Sequence, residues 1–164
     1  MDAVRTAPSF RQMMGRFTTG VAVILTAGRG GPVGATVNSL TSLSLDPPLL
    51  LFCAGNASRT GACVIERGLF SVNILTAAQQ DVSGYFAGKG EGWDAARFRR
   101  HGDWLAIPDS NGALFCEVVN VYPGGDHRII VGRVRDILAP ESAERPLVYH
   151  EGRYSRLAPD YSAA

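Results

Sequence analysis

The sequence predicts a mainly β protein, built as a closed or partly closed antiparallel barrel with a few helices at its periphery. Three observations carry that expectation. Apolar runs are short, rich in β-branched residues and separated by 19 glycines and 9 prolines scattered along the chain, which is the rhythm of strands and tight turns. The later half holds a long hairpin, with residues 113–122 and 127–138 as arms around Pro123-Gly124-Gly125-Asp126. Helical periodicity is confined to a few short segments.

From the beginning of the chain, Ser9 is placed to cap a helix over residues 10–17, where Phe10, Met13, Met14 and Phe17 fall at helical spacing. Residues 20–26 (G-V-A-V-I-L-T) read as a strand. Arg29-Gly30-Gly31-Pro32 is turn chemistry, and residues 33–40 return as the second arm of a hairpin. Residues 43–45 lead into Asp46-Pro47-Pro48, where proline removes a backbone donor and marks an interruption. Residues 49–53 and 70–75 are further strands, and between them Ser58 caps a helix running to about Arg67, with Gly68 as its stop. Residues 77–87 place Val82, Tyr85 and Phe86 along one helical face. In the second arm of the long hairpin, Ile129, Val131, Arg133 and Arg135 alternate with Ile130, Gly132, Val134 and Asp136, as in a ribbon that changes its buried face. A short strand over residues 147–150 and a segment over 153–157, after a turn at Glu151-Gly152, complete the set. No repeat, low-complexity tract or linker interrupts residues 1–164, so one domain is expected.

Composition excludes several classes of function. A net charge of +1 without blocks of like charge offers no footprint for nucleic acid, and the short cluster Arg97, Arg99 and Arg100 reads as a solvated face. The longest purely apolar run, residues 49–54, is far short of the ~20 residues that cross a bilayer, so no membrane association is expected. The first residues lack a basic region followed by an apolar core, so no secretory leader is expected. Cys53, Cys63 and Cys116 make an odd count without metal-like spacing, and their apolar neighbours predict buried small hydrophobes. A cytoplasmic protein is the natural expectation. The sequon-like Asn56-Ala57-Ser58 has no use without secretion.

Four motifs invite chemistry. Gly28-Arg29-Gly30-Gly31-Pro32-Val33-Gly34 fails as a dinucleotide fingerprint, because valine stands where the third glycine belongs and no helix opens there. Residues 36–44 (T-V-N-S-L-T-S-L-S) are oddly polar between apolar strands. Two readings fit them: a solvent-facing strand edge, or a lining of donors and acceptors for a polar planar ligand or a phosphate. Asn56-Ala57-Ser58-Arg59-Thr60 combines hydroxyls, a guanidinium and free amides at a helix start, as suits a phosphate monoester, although an N-cap beside an arginine is also an ordinary structural feature. Gly125-Asp126-His127 sits at a hairpin tip. His101, His127 and His150 have no elbow-like serine motif, and no H-x-x-x-H or C-x-x-C supports a metal.

Together these segments resemble the flavin reductase family, the small reductase partners of two-component flavin-dependent monooxygenases. The matching parts run in order: F-R-Q-M-M-G-R-F-T-T-G-V-A-V at 10–23, G-A-T-V-N-S-L-T-S-L-S-L-D-P-P at 34–48 and N-A-S-R-T at 56–60. F-S-V-N-I-L at 70–75, G-D-H at 125–127 and H-E-G-R-Y at 150–154 follow. The resemblance implies an antiparallel Greek-key split β-barrel, the FMN-binding split barrel. It further implies a homodimer with flavin near the subunit interface. Its activity would be reduction of FMN or FAD by NADH or NADPH, with reduced flavin passed to a separate monooxygenase. By position, Thr36, Val37, Asn38 and Ser39 would hold the isoalloxazine edge, partly through backbone groups. Ser42, Ser58, Arg59 and Thr60 would serve the phosphate and ribityl chain. Cys53 and Ala54 would line the ring, and Phe86 would close the pocket. Asp126 and His127 would place the nicotinamide, with His127 as the candidate catalytic residue, and His150, Arg153 and Tyr154 would lie near the same site. Leu40 departs from the phenylalanine often found there.

Hydride transfer between stacked rings asks a protein for position, donors and desolvation more than for an acid or base. That agrees with the missing catalytic constellation. Two alternatives remain at this stage: an enzyme that keeps its flavin and acts on a bound substrate, and a non-catalytic flavin- or haem-binding carrier or sensor. A nicotinamide-placing G-D-H turn would be of no use to a carrier.

Overall fold

A computed structural model of the chain describes residues 7–90 and 97–158. In order the elements are α1 (Ala7–Gly15), β1 (Thr19–Gly20), β2 (Ala22–Gly28), β3 (Gly31–Val37), β4 (Thr41–Leu45), β5 (Pro48–Gly55), α2 (Arg59–Arg67), β6 (Leu69–Ile74) and α3 (Gln80–Phe86). They continue as β7 (Arg99–His101), β8 (Trp104–Ala106), β9 (Gly112–Gly124), β10 (His127–Leu138), β11 (Val148–His150) and β12 (Arg153–Ser155). The mainly β, antiparallel expectation is met.

Seven strands form the main sheet in the order β3-β2-β6-β9-β10-β5-β4. Its two edges, β3 and β4, are joined in the chain by residues 38–40 alone. A flat sheet of that size would be about 29 Å wide, whereas the short link reaches no more than about 14 Å. The sheet must therefore curl until its edges nearly meet, leaving a seam rather than a fully paired cylinder. This is the split of the barrel.

Residues 21–25, at the start of β2, alternate between two cores. Ala22 and Ile24 point into the barrel with Leu50, Phe52, Ala54, Val64, Phe70, Val72, Cys116 and Ile130. Val21, Val23 and Leu25 point outward, against Leu75, Val82, Leu105, Ile107 and Leu147. A strand buried on both faces needs a continuous apolar run, which is why V-A-V-I-L shows no alternation. Val23, Ile24 and Leu25 are fully buried, and each such side chain contributes roughly 1.5–3 kcal/mol of transfer free energy. Buried Asn73 stitches the layers. Its amide donates to the Val23 carbonyl and the Ser71 hydroxyl, and its oxygen accepts from the Ile107 N–H at 2.8 Å.

Several local expectations need correction. The first helix begins at Ala7, so Ser9 lies inside it and is not its N-cap. The interruption expected at Asp46-Pro47-Pro48 is the two-residue turn of the β4–β5 hairpin, Asp46-Pro47, with a cis peptide bond; Pro48 itself already belongs to β5, paired to Leu45. The strand expected over residues 33–40 stops at Val37 and resumes as β4 on the far edge. The long hairpin turns on Gly125-Asp126 alone, Gly124 and His127 being paired, and Gly125 has φ +70. The third helix starts at Gln80, because the Gln79 side chain accepts from the Thr76 N–H and holds the preceding residues in a turn. Only Cys116 is fully buried; Cys53 and Cys63 are half-buried. The β7–β8 hairpin has no counterpart among the elements expected from the sequence. The second helix is as expected: Ser58 accepts from the Gly61 N–H at 3.1 Å, and Gly68 closes it with φ 74.

Candidate functional site

A cavity of about 310 Å³ opens at the seam. Its walls come from β3 and its extension, from the end of β5, from the start of α2 and from the tip of the β9–β10 hairpin. Of the residues singled out from the sequence, Thr36, Val37, Asn38, Ser39, Cys53, Ala54, Ser58, Thr60 and His127 line it, together with Ala35, Phe52, Gly55 and Gly61.

The seam is held by a side chain that imitates a strand. Ser39 donates to the Cys53 carbonyl at 3.2 Å and accepts from the Cys53 N–H at 3.1 Å. The Thr36 hydroxyl likewise donates inward, to the Ser83 carbonyl of α3 at 2.7 Å. Both hydroxyls are therefore engaged with the protein, and what this segment offers a ligand is mainly backbone. β3 is an edge strand, so alternate backbone N–H and C=O groups along its outer side have no ladder partner.

At the other end of the cavity, α2 approaches β5 so closely that a Cβ on Gly61 would stand 2.8 Å from the Ala54 Cβ. This contact places the start of α2 over the cavity. Thr60 there is 5% exposed, and among the described residues its hydroxyl has no hydrogen-bond partner. A hydroxyl that lines the cavity beside helix-start amides is placed to meet an oxyanion or another polar ligand group.

His127 faces Gly55 across the β5–β10 ladder. Its Nδ1 lies 2.7 Å from the Asp126 carboxylate. An ionised carboxylate only accepts, so Nδ1 carries the hydrogen and, in the neutral ring, Nε2 is left as the acceptor. The hydrogen bond from His127 holds the Asp126 carboxyl below its ordinary range. A Cβ on Gly55 would sit 4.0 Å from Nε2, so glycine at this position leaves that face of the imidazole open to the cavity.

The remaining expected residues lie outside the lining. Ser42 is exposed on β4, and Arg59 is exposed as the first residue of α2. Asp126 reaches the cavity only through His127. Phe86 packs over Gly34, where a Cβ would stand 2.7 Å from its ring. His150 bonds the Thr18 hydroxyl at 2.9 Å, Arg153 is exposed on β12, and the Tyr154 hydroxyl meets that of Ser83 at 2.7 Å. Because Thr36 and Tyr154 both bond Ser83, the C-terminal segment braces the cavity wall from behind. Sequence reasoning missed Ala35, Phe52, Gly55 and Gly61; the signal available was a glycine on each side of the N-A-S-R-T segment.

The chain matches the flavin reductase like domain over residues 14–158. It is 38% identical, over 92% of its own length and 78% of the relative's, to the reductase subunit HsaB of a flavin-dependent monooxygenase from Rhodococcus jostii. Among solved structures it is similar to the flavin reductase PheA2 in its native state, with a TM-score of 0.88 and 35% identity over 93% of this chain and 99% of that one. It is also similar to the NADH:FAD oxidoreductase SgcE6 of Streptomyces globisporus, in complex with NAD and FAD fragments. That match has a TM-score of 0.87 and 29% identity over 99% of both chains.

Proposed function

This chain belongs to the flavin reductase-like family, and on that premise we propose that it uses NADH or NADPH to reduce FMN or FAD and passes the reduced flavin to a partner monooxygenase. One observation carries the reading. The seam cavity is lined by residues from three separated parts of the chain: Thr36–Ser39, then Cys53, Ala54, Ser58 and Thr60, and finally His127.

The donor set fits a flavin. A cavity of about 310 Å³ is at the small end of ligand pockets, enough for a ring system with its tail running outward. The open backbone edge of β3 and residues 36–39 would hold the polar rim of the ring. Phe52, Cys53 and Ala54 would give it an apolar floor that excludes water. Ser58, Arg59, Thr60 and the α2 amides would take the ribityl chain and phosphate, and Ser42 would lie along the same tail. When bound, the flavin supplies the hydride-accepting ring, and the nicotinamide supplies the hydride. His127, held by Asp126 with its Nε2 toward the cavity, orients what stacks there and offers an acceptor at that atom. Phe86 and Tyr154 would brace the wall from behind, and His150 and Arg153, paired in the β11–β12 hairpin, would lie with Tyr154 toward the nicotinamide.

A homodimer belongs to the same proposal. Phe10, Met13, Met14 and Phe17 of the α1 region are each more than half exposed, an apolar stripe that a second copy would cover. A cytoplasmic location is supported by the demand for a nicotinamide reductant and by three free cysteines. The test is direct: purified protein is mixed with NADH or NADPH and with FMN, FAD or riboflavin, and nicotinamide absorbance is followed. Flavin-dependent oxidation is expected. Its absence with every flavin overturns the reading.

A further inference from the structure

The tip of the β9–β10 hairpin carries His127 yet has little to hold it. The β5–β10 ladder ends at the pair His127 and Gly55. Beyond it, Gly125-Asp126 is an exposed turn flanked by Gly124, a composition with high backbone freedom. Asn56 is the residue that reaches it. Its backbone N–H donates to the Asp126 carbonyl at 2.9 Å, and its side-chain amide donates to the Gly125 carbonyl at 3.1 Å. Its own carbonyl accepts from the Arg128 guanidinium at 3.2 Å. Both carbonyls of the turn are thus held by one residue, and a side chain just past the turn closes the clasp.

The clasp has a direct line to the imidazole. Fixing Gly125 and Asp126 fixes the origin of the Asp126 side chain, and that carboxylate sets the His127 ring. We propose that Asn56 is a positioning residue that sets the His127 ring over the seam cavity by clasping the hairpin turn, so that it serves the hydride donor rather than the flavin. This rests on the functional reading above. Asn56 does not line the cavity, which separates its role from flavin binding.

The test compares wild type with Asn56→Ala and Asn56→Asp. The first removes the side-chain donor; the second keeps the shape but sets an oxygen against the Gly125 carbonyl. In the flavin-free proteins, deuterium uptake across residues 123–128 should quicken about fivefold, the effect of one lost hydrogen bond. With FMN or FAD saturating, the KM for NADH should rise about fivefold to tenfold while kcat changes less than about twofold. The flavin Kd, read by fluorescence quenching, should stay within about twofold. Unchanged uptake in both variants overturns the proposal, as does a flavin Kd that rises as much as the NADH KM. If wild type oxidises no NADH with any flavin, the functional reading fails, and the uptake comparison still decides whether the clasp exists.

Discussion

Ser39 and Cys53 exchange two hydrogen bonds through a single hydroxyl, which both donates to and accepts from the Cys53 backbone. The serine completes a strand pairing that β3 itself does not make. Ser39→Ala should leave a part-buried N–H and C=O without partners and cost about 1–3 kcal/mol. Urea unfolding is expected to show the loss, accompanied by weaker flavin binding because the seam is also the wall of the cavity.

Asp126 and His127 give the site a pH signature. The carboxyl is lowered by the imidazole hydrogen bond, so the native state binds its proton less readily than the unfolded chain. The resulting stability is fully present above the ordinary carboxylate range and is lost as pH falls through the lowered value. In His127→Gln the Asp126 midpoint should move up toward that of a free aspartate. An NMR titration of the Asp126 carboxyl carbon reads this directly, and equal midpoints in the two proteins would contradict the pairing.

Gly132 marks the closest approach inside the barrel. A Cβ there would enter the Phe70 ring and stand 3.2 Å from the Cys116 Cβ, and Phe70 is 1% exposed with no room to swing. Gly132→Ala should destabilise by about 1–3 kcal/mol. A denaturant midpoint indistinguishable from wild type would show that the two strands can part.

The cysteines should separate into classes. Burial pushes the Cys116 thiol up to about 12, and it should resist alkylation until the chain unfolds. Cys53 and Cys63 are half-buried, and only Cys53 lines the seam cavity. Saturating FMN should slow labelling of Cys53 and leave Cys63 unchanged, as peptide mass spectrometry would show. Equal protection of both would argue against flavin at the seam.

Much of this was legible in the residues. The β-branched run over residues 20–26, the long hairpin and the Ser58 cap with its Gly68 stop are local patterns, and local patterns survive folding. The β7–β8 hairpin was not legible, because Arg99–His101 is wholly polar, with both arginines exposed, and carries no apolar alternation; its docking depends on Asn73 and Ser71 from a distant strand. The polar run over residues 36–44 is one feature in the sequence but divides in two in the fold. Residues 36–39 face the seam, while Ser42 is turned to the exposed edge. No spacing rule distinguishes them, since the division is made where the chain crosses between sheet edges. Asn56 was visible only as the first letter of a motif. Its partners, Gly125, Asp126 and Arg128, are some seventy residues away.

The short strap from β3 to β4 has a consequence for how this protein could change its diet. Phe52, Ala54 and Val37 belong at once to the barrel core and to the cavity lining, so the girth of one is the width of the other. A swap deep in the core, at Phe70 for example, would resize the berth without touching a contact residue. Preference among flavins of different bulk can therefore drift through positions that a survey of the cavity alone would pass over.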